Sequence, residues 1–434
     1  MKARQITTAL ILMGHSAFSA ELTLEQKAAV FEHDLHERFS LEGQILCKLM
    51  LPAGDRDFIA YNMPDNAYMT GMVLGALSAK YAVTGATEDR ERAAASIRAL
   101  HLLSNVSGKS GLLARAAWPV DRPMADDGTW RKSDDGKWLW RGDVSSDQVD
   151  GVFFGYALAY DLVANDEEQA WIARDTEAIV DHILENDLRI IDYDGEPTQW
   201  GSYYPEYVKS REPMNALLWL QHLKVAEHVN PGGKYGEIYR RFAVDEGYAE
   251  VAERARALRD PQRQGAINHS DDVLIFMALY PLLEFEKDAD LRGHYLAALR
   301  RAWFGNDQFP GVQPEDNPLY AFIAKRFLGD EIDVAPSIAN LKRFPLDMKW
   351  NRTTLAQYAA KFGTEMVEPI TSPEPGPGDA IPLDRRQKSW SAWVMDPYHG
   401  TGTRNADSGL EYNGHDYLLA YWLGRYWGYI DAGN

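Results

Sequence analysis

The 434-residue chain has one cysteine, Cys47, so it can form no internal disulfide. Positive charge is in short supply: 45 lysines and arginines face 64 aspartates and glutamates, for a net charge of -19. A chain this acidic repels nucleic acid and anionic membrane surfaces at long range, and no basic stripe interrupts it. Zinc-ligand spacing and a phosphate-loop glycine pattern are both missing. Beyond the N-terminus no segment is apolar over the length a bilayer span requires. The period-2 alternation of half-buried strands is nearly absent too. These absences argue against a disulfide scaffold, a nucleic-acid binder and an integral membrane protein, and the sequence gives no reason to expect a metal or cofactor.

The N-terminus is the exception to the missing apolar runs. MKARQITTALILMGHSAFSA has Lys2 and Arg4, then a short apolar core, then the small residues AFSA. That core is too short for a stable anchor and reads as a signal peptide over residues 1–20. The mature chain, 21–434, is then expected to be periplasmic or secreted, off the membrane, and a single domain. Its oligomeric state stays open.

With 45% hydrophobic and 25% charged residues the composition is globular. Apolar residues recur at helical spacing in two kinds of segment. One kind is amphipathic and charged: 22–40, 86–104, 166–187, 235–258, 287–304 and a broken one at 333–361. The other is apolar nearly all round: 65–81, 147–164, 213–228, 268–285, 317–328 and 413–429. The first kind lies on a surface and the second is buried. The two alternate along the chain. Links from inner to outer segments are short, at 83–87, 164–168 and 230–234. Most return links are long: 41–64, 105–146, 188–211 and 363–412. Loops of that length inside a domain usually carry function. If the inner helices run parallel, these loops gather at one end, together with the helix N-termini and their partial positive charge. Seven of the 13 tryptophans fall in them: Trp118, Trp130, Trp138, Trp140, Trp200, Trp390 and Trp393.

The inner segments open on acid and aromatic residues, as in MPDNAYMTG, SSDQVDGVFFGYALAYDLV and GHDYLLAYWLGRY. With the alternation, this resembles the six-hairpin glycosidase-like toroids. That group includes glycoside hydrolases, unsaturated-uronide hydrolases, sugar epimerases and the toroid domains of polysaccharide lyases. The resemblance covers most of the mature chain. It implies an all-α fold, an (α/α)6 barrel with long loops at one end, and an oligo- or polysaccharide substrate. Fold alone does not fix the reaction.

WRGDVSSDQVDG, residues 140–151, crowds Asp143, Asp147 and Asp150 at one inner-helix start. Ser145 and Gln148 fit a capping box, and Asp147 suits the helix dipole for about 0.3–1 kcal/mol. The same address puts Asp143 and Asp147 at the barrel mouth beside Trp138 and Trp140. Arg141 is read as an ion-pair partner of these acids or as a clamp for a substrate carboxylate. Asp65 and Asn66 open the first inner helix, with Tyr68 one turn on. TQWGSYYPEY supplies Trp200, Tyr203, Tyr204 and Glu206, aromatic faces for sugar C–H surfaces beside a carboxylate. NHSDDVLIF places His269 just outside a helix capped by Ser270, with Asp271 and Asp272 in its first turn. The last third adds Trp393, Tyr398, His399, His415 and Asp416, and Arg425 as a buried ion-pair residue. The spacing of His399 and His415 matches no zinc motif.

Glycoside hydrolysis needs two carboxyl groups, one a proton donor and one a base or nucleophile. The catalytic candidates are Asp65, Asp143, Asp147, Glu206 and Asp272. The substrate-binding candidates are Asn66, Trp138, Trp140, Arg141, Trp200, Tyr204, His269, Trp393, Tyr398, His399 and His415. A lyase would instead need a base such as Tyr204, His269 or His399, and Arg141, Arg404 or Asn66 to neutralise a uronate. The acidic net charge weighs against that. An epimerase would use histidine pairs, and a glycan-binding protein would have no use for matched carboxyls. The hydrolase is the preferred reading.

Overall fold

A computed structural model describes residues 22–256, 268–307, 309–399 and 409–433. The expected signal segment and Arg404 lie outside the described residues. Outer helix α1 (Leu24–Arg38) precedes inner helix α2 (Asn66–Thr84); outer α3 (Thr87–Asn105) precedes inner α4 (Ser146–Leu162). Outer α5 (Asp166–Glu185) and the short α6 (Pro205–Ser210) lead to inner α7 (Pro213–Val229). The outer pieces α8 (Tyr235–Arg240) and α9 (Tyr248–Ala252) precede inner α10 (His269–Phe285). Outer α11 (Ala289–Phe304) leads to inner α12 (Pro318–Leu328), and α13 (Ala335–Lys342) and α14 (Arg352–Phe362) to inner α15 (His415–Tyr426). Each inner helix packs on the next, and α15 closes back on α2. The protein is an (α/α)6 barrel, as the alternation of segments predicts.

Burial follows the pattern of each segment. In α2 every residue from Asn66 to Ala79 is buried. In α5 the buried positions Ile172, Asp175, Thr176, Ile179, Val180 and Ile183 recur every three to four residues, one stripe of an amphipathic helix. The barrel interior is filled: α4 meets α10 across it, with Phe154 and Tyr280 ring centroids 5.8 Å apart. Its tightest seam joins α2 to α4. A Cβ added to Gly71 would lie 1.9 Å from the carbonyl oxygen of Gly151, and one on Gly155 2.4 Å from that of Gly71. Only glycine permits this backbone approach.

A polar network closes the ring between its first and last outer units. Buried Asp34 of α1 accepts from Trp350 Nε1 at 2.8 Å and from Tyr358, and pairs with Arg38. Arg38 also pairs with Glu411, which accepts from the Asn351 amide at 2.9 Å and the Thr354 hydroxyl at 2.6 Å.

Two expectations need correction. The 235–258 segment is not one helix. It passes through a π turn at 241–245 and breaks at Gly247, whose φ of +72° ends the helical run. The loops at 41–64, 105–146 and 188–211 also contain strands, although period-2 alternation is nearly absent from the sequence. They form short antiparallel strands, including a sheet of Ala116–Pro119, Trp138–Arg141 and Trp130–Lys132, and a hairpin of Arg189–Ile191 with Pro197–Ser202. Strands of three to six residues are too short to display alternation in sequence.

Gly71→Ala is expected to destabilise the protein by about 3 kcal/mol or more, because the new methyl meets backbone rather than a movable side chain. Urea unfolding measures it. A change under about 0.5 kcal/mol would contradict the seam's role.

Candidate functional site

The seam aligns the first turns of α2 and α4. Ser145 is the N-cap residue of α4, but its side chain makes no capping bond, so the expected capping box is not formed. Gln148 is used across the seam instead. Its Nε2 donates to Asp65 Oδ1 at 2.8 Å, and its Oε1 accepts from the Tyr68 amide at 3.2 Å. Asp65 also pairs with Arg115 at 3.3 Å. Burial raises the Asp65 carboxyl pKa; Arg115 opposes this and the charge of Asp147 adds to it. Asp150, one turn below Asp147, is fully buried, and neither carboxyl oxygen has a hydrogen-bond partner. Burial pushes its pKa well above the usual value and Asp147 adds to the shift, while Gln221 Nε2 donates to the Asp150 backbone carbonyl at 3.3 Å. Asp65, Asp147 and Asp150 therefore form one electrostatic group. Tyr68 sits among them, as its position one turn into α2 predicts, its phenol pKa raised by burial and then by all three charges.

Asp147 opens onto a pocket of about 130 Å³. The pocket lies between the starts of α4, α7 and α10, with Ser146 and Asp147 from the first, Glu212, Met214 and Asn215 from the second, and Asn268, Ser270 and Asp271 from the third. Trp200 and Tyr207 complete it. Trp200 is 50% exposed, a large apolar face held at a polar mouth. Buried Asn215 donates through Nδ2 to Ser202 O at 2.8 Å, leaving its Oδ1 without a partner. Asp271 accepts from Asn268 Nδ2 at 2.9 Å. Asn268, not Ser270, caps α10, and His269 is the first residue of that helix. A larger cleft of about 560 Å³ flanks the same hairpin strand: Thr198 lines the cleft and Trp200 the pocket. Asp143, Arg115, Arg131, Arg141, Asp192 and Glu196 line that cleft. Asp143 is exposed, with φ +53°, and its Oδ1 accepts from the Gln199 amide at 3.3 Å.

A second group lies at the start of α10. Asp272 is buried and bonded by Arg256 through both oxygens, at 2.6 and 3.3 Å. His269 Nδ1 is 3.5 Å from Asp272 and 3.7 Å from Glu315, and its Nε2 is 3.5 Å from Asp396. Burial, with the charge of Asp272, raises the Glu315 pKa to about 7. The Tyr398 ring stands 6.1 Å from the imidazole.

Several expected site residues have other duties. Glu206 is exposed on the first turn of α6 and does not line the pocket; Glu212 does. Asp272 is committed to Arg256, and its neighbour Asp271 faces the pocket. Arg141 pairs with Asp126 at 2.8 Å and Asp127 at 3.1 Å, not with the helix-start acids, so its charge is already matched. Trp140 is buried under Arg131 and Tyr193, and Trp138 is half-buried in the same strand. Trp393 is buried, donating to Asp416 O at 3.0 Å. Tyr204 stands just before α6, with the Arg189 guanidinium 4.1 Å from its ring centre. Asn66 is buried, accepting from the Cys47 amide at 3.1 Å. His415 is buried, its Nδ1 2.6 Å from Asn413 Oδ1, and burial lowers its pKa to about 4. His399 is exposed and pairs with Asp396 at 2.7 Å. Asp416 pairs with buried Lys349 at 2.7 Å. Arg425 donates to the Tyr421 hydroxyl at 2.8 Å where an ion pair was expected.

The raised pKa of Asp150 has a signed consequence. Its carboxyl binds a proton more tightly in the fold than in the unfolded chain, so its contribution to stability is fully present at low pH and declines as pH rises above about 4. Asp150→Asn carries no such loss. Urea unfolding at pH 4.5 and 7.5 should show the variant gaining on the parent by about 1 kcal/mol or more at the higher pH. A pH-independent gap would contradict the buried, protonated carboxyl.

No family model matches the chain, and no curated protein matches it. Among solved structures it is similar to a sugar epimerase from a ruminal bacterium, at 12% identity over 94% of this chain and 100% of that one, with a TM-score of 0.45. It is also similar to a GH76 alpha-mannanase from Bacteroides thetaiotaomicron, at 10% identity over 94% and 97%, TM-score 0.47. A D-mannose isomerase is similar at 12% identity over 95% and 99%, TM-score 0.43.

Proposed function

We propose that the protein is an exported carbohydrate-active enzyme, a glycoside hydrolase acting in the pocket between the starts of α4, α7 and α10. The observation that carries this is the convergence of Asp147, Glu212 and Asp271, from three separate helix starts, around an exposed tryptophan. Hydrolysis needs two carboxyls on opposite sides of a glycosidic bond, and helix starts facing each other across a mouth supply them. Asp147 provides one and Asp271, oriented by Asn268, the other. Glu212 and Asn215 bind hydroxyls, the unpartnered Asn215 Oδ1 accepting from one of them. Trp200 stacks on the apolar face of the ring. A pocket of about 130 Å³ suits one sugar residue, and the larger cleft beyond the 189–202 hairpin takes further residues of an oligo- or polysaccharide. An acid-lined mouth favours neutral sugars over uronates, and the pairing of Arg141 with Asp126 and Asp127 removes a clamp that a lyase would need.

Digestion of a panel of neutral and uronate-containing polysaccharides, read by mass spectrometry, tests the reaction class. Hydrolysis adds one water per cleavage; products with unsaturated ends only, or no cleavage at all, would refute the reading. On a cleaved substrate, Asp147→Asn and Asp271→Asn should each lower kcat at least 100-fold, about 2.7 kcal/mol in the barrier, with binding retained. Trp200→Ala should mainly weaken binding. Full turnover in either aspartate variant would remove that residue from the mechanism.

A further inference from the structure

We propose that His269, Asp272 and Glu315 form a binding site for one divalent transition-metal ion, zinc or manganese, at the start of α10. Each residue offers one ligand atom, and these atoms all lie within 4.8 Å of one another. His269 and Asp272 stand one helical turn apart on α10, so they share a face. Glu315 reaches them from the one-turn 3-10 helix that precedes α12.

The spacing fits an ion. Tetrahedral ligands at about 2.1 Å from a metal stand about 3.4 Å from each other. His269 Nδ1 is 3.5 Å from Asp272 Oδ2 and 3.7 Å from Glu315 Oε1, beyond good hydrogen-bond length and close to the edges of such a tetrahedron. Nδ1 of His269 and Oε1 of Glu315 are moreover buried without a hydrogen-bond partner, on residues 9% and 6% exposed. Buried polar atoms are nearly always satisfied, and these two point at each other across the gap an ion would fill.

The surroundings are those of a supported metal ligand. His269 turns its other nitrogen, Nε2, toward Asp396 Oδ1 at 3.5 Å, a carboxylate behind the imidazole that would fix its tautomer. Arg256 holds Asp272 mainly through Oδ1, at 2.6 Å; its bond to Oδ2 is longer, at 3.3 Å, and Oδ2, which also stands 3.5 Å from the histidine, keeps a lone pair for an ion. The carboxylates of Asp272, Glu315 and Asp396 are set against the guanidiniums of Arg256 and Arg386, so a dication does not leave a large uncompensated charge. One imidazole nitrogen and two carboxylate oxygens suit zinc or manganese; calcium requires six to eight oxygens. The ion would fix the first turn of α10, where Asn268, Ser270 and Asp271 line the pocket. It is a site for positioning that wall and does not depend on the proposed hydrolysis.

The test is calorimetric titration of tag-free, chelator-dialysed full-length protein with zinc chloride or manganese chloride alone, with bound metal counted by mass spectrometry. One equivalent is expected. Glu315→Gln and His269→Gln should each weaken binding at least tenfold while keeping the metal-free melting temperature. Asp396→Asn, at a half-exposed position, should weaken it about tenfold and serves if the buried variants fail to fold. Binding no tighter than about 1 mM, or equal binding in parent and variants, would overturn the site and leave a proton on His269 as the occupant.

Discussion

The contact on which the rest depends is the backbone approach of α2 to α4 through Gly71, Gly151 and Gly155. It brings two inner-helix starts together, so that Gln148 of one holds Asp65 of the other. That bond diverts Gln148 from a local cap to a contact between helices. It also leaves Asp147 as the member of its acid group that faces the pocket, with Asp65 and Asp150 behind it. Holding a buried acid, Asp150, beside two half-buried ones is costly unless some are neutral, and the raised pKa values of Asp65 and Asp150 are how the fold meets that cost.

The mouth of the barrel contains two environments. Around Asp147, Asp65 has the Gln148 amide and Arg115, and Tyr68 stands among the acids. Around His269 they have Arg256 and Arg386. Burial and the charges of the first group raise the Tyr68 phenol pKa, and burial with Asp272 and Glu315 of the second raises that of Tyr320, so both phenols stay neutral inside the barrel. A net charge of -19 conceals this division, because the arginines that matter are buried.

The helical alternation was legible because burial on all sides and burial on one side leave different residue patterns, as α2 and α5 illustrate. The end of the barrel that carries the pocket was legible from loop length. Asp147 and Trp200, chosen by address alone, both line the pocket. Glu212 and Asp271 have the same kind of address, at the starts of inner helices, but the richer-looking Glu206 and Asp272 drew the assignment. Whether a helix-start acid faces the mouth or a neighbour depends on its angle about the helix axis and on arginines outside the helix, such as Arg256. Trp140 and Trp393 were misread because the long loops build sheets and turns with cores of their own, which absorb aromatics. Glu315 gave no signal; its chemistry arises only where a turn before α12 meets the first turn of α10.

The most direct measurement of the central claim is a crystal structure of the Asp147→Asn protein with an oligosaccharide from a polysaccharide the parent cleaves. The account predicts a sugar ring stacked on Trp200, with its glycosidic oxygen between residue 147 and Asp271 and a hydroxyl on Asn215 Oδ1. A ligand bound only at the larger cleft or against His269, with the pocket between α4, α7 and α10 vacant, would contradict it.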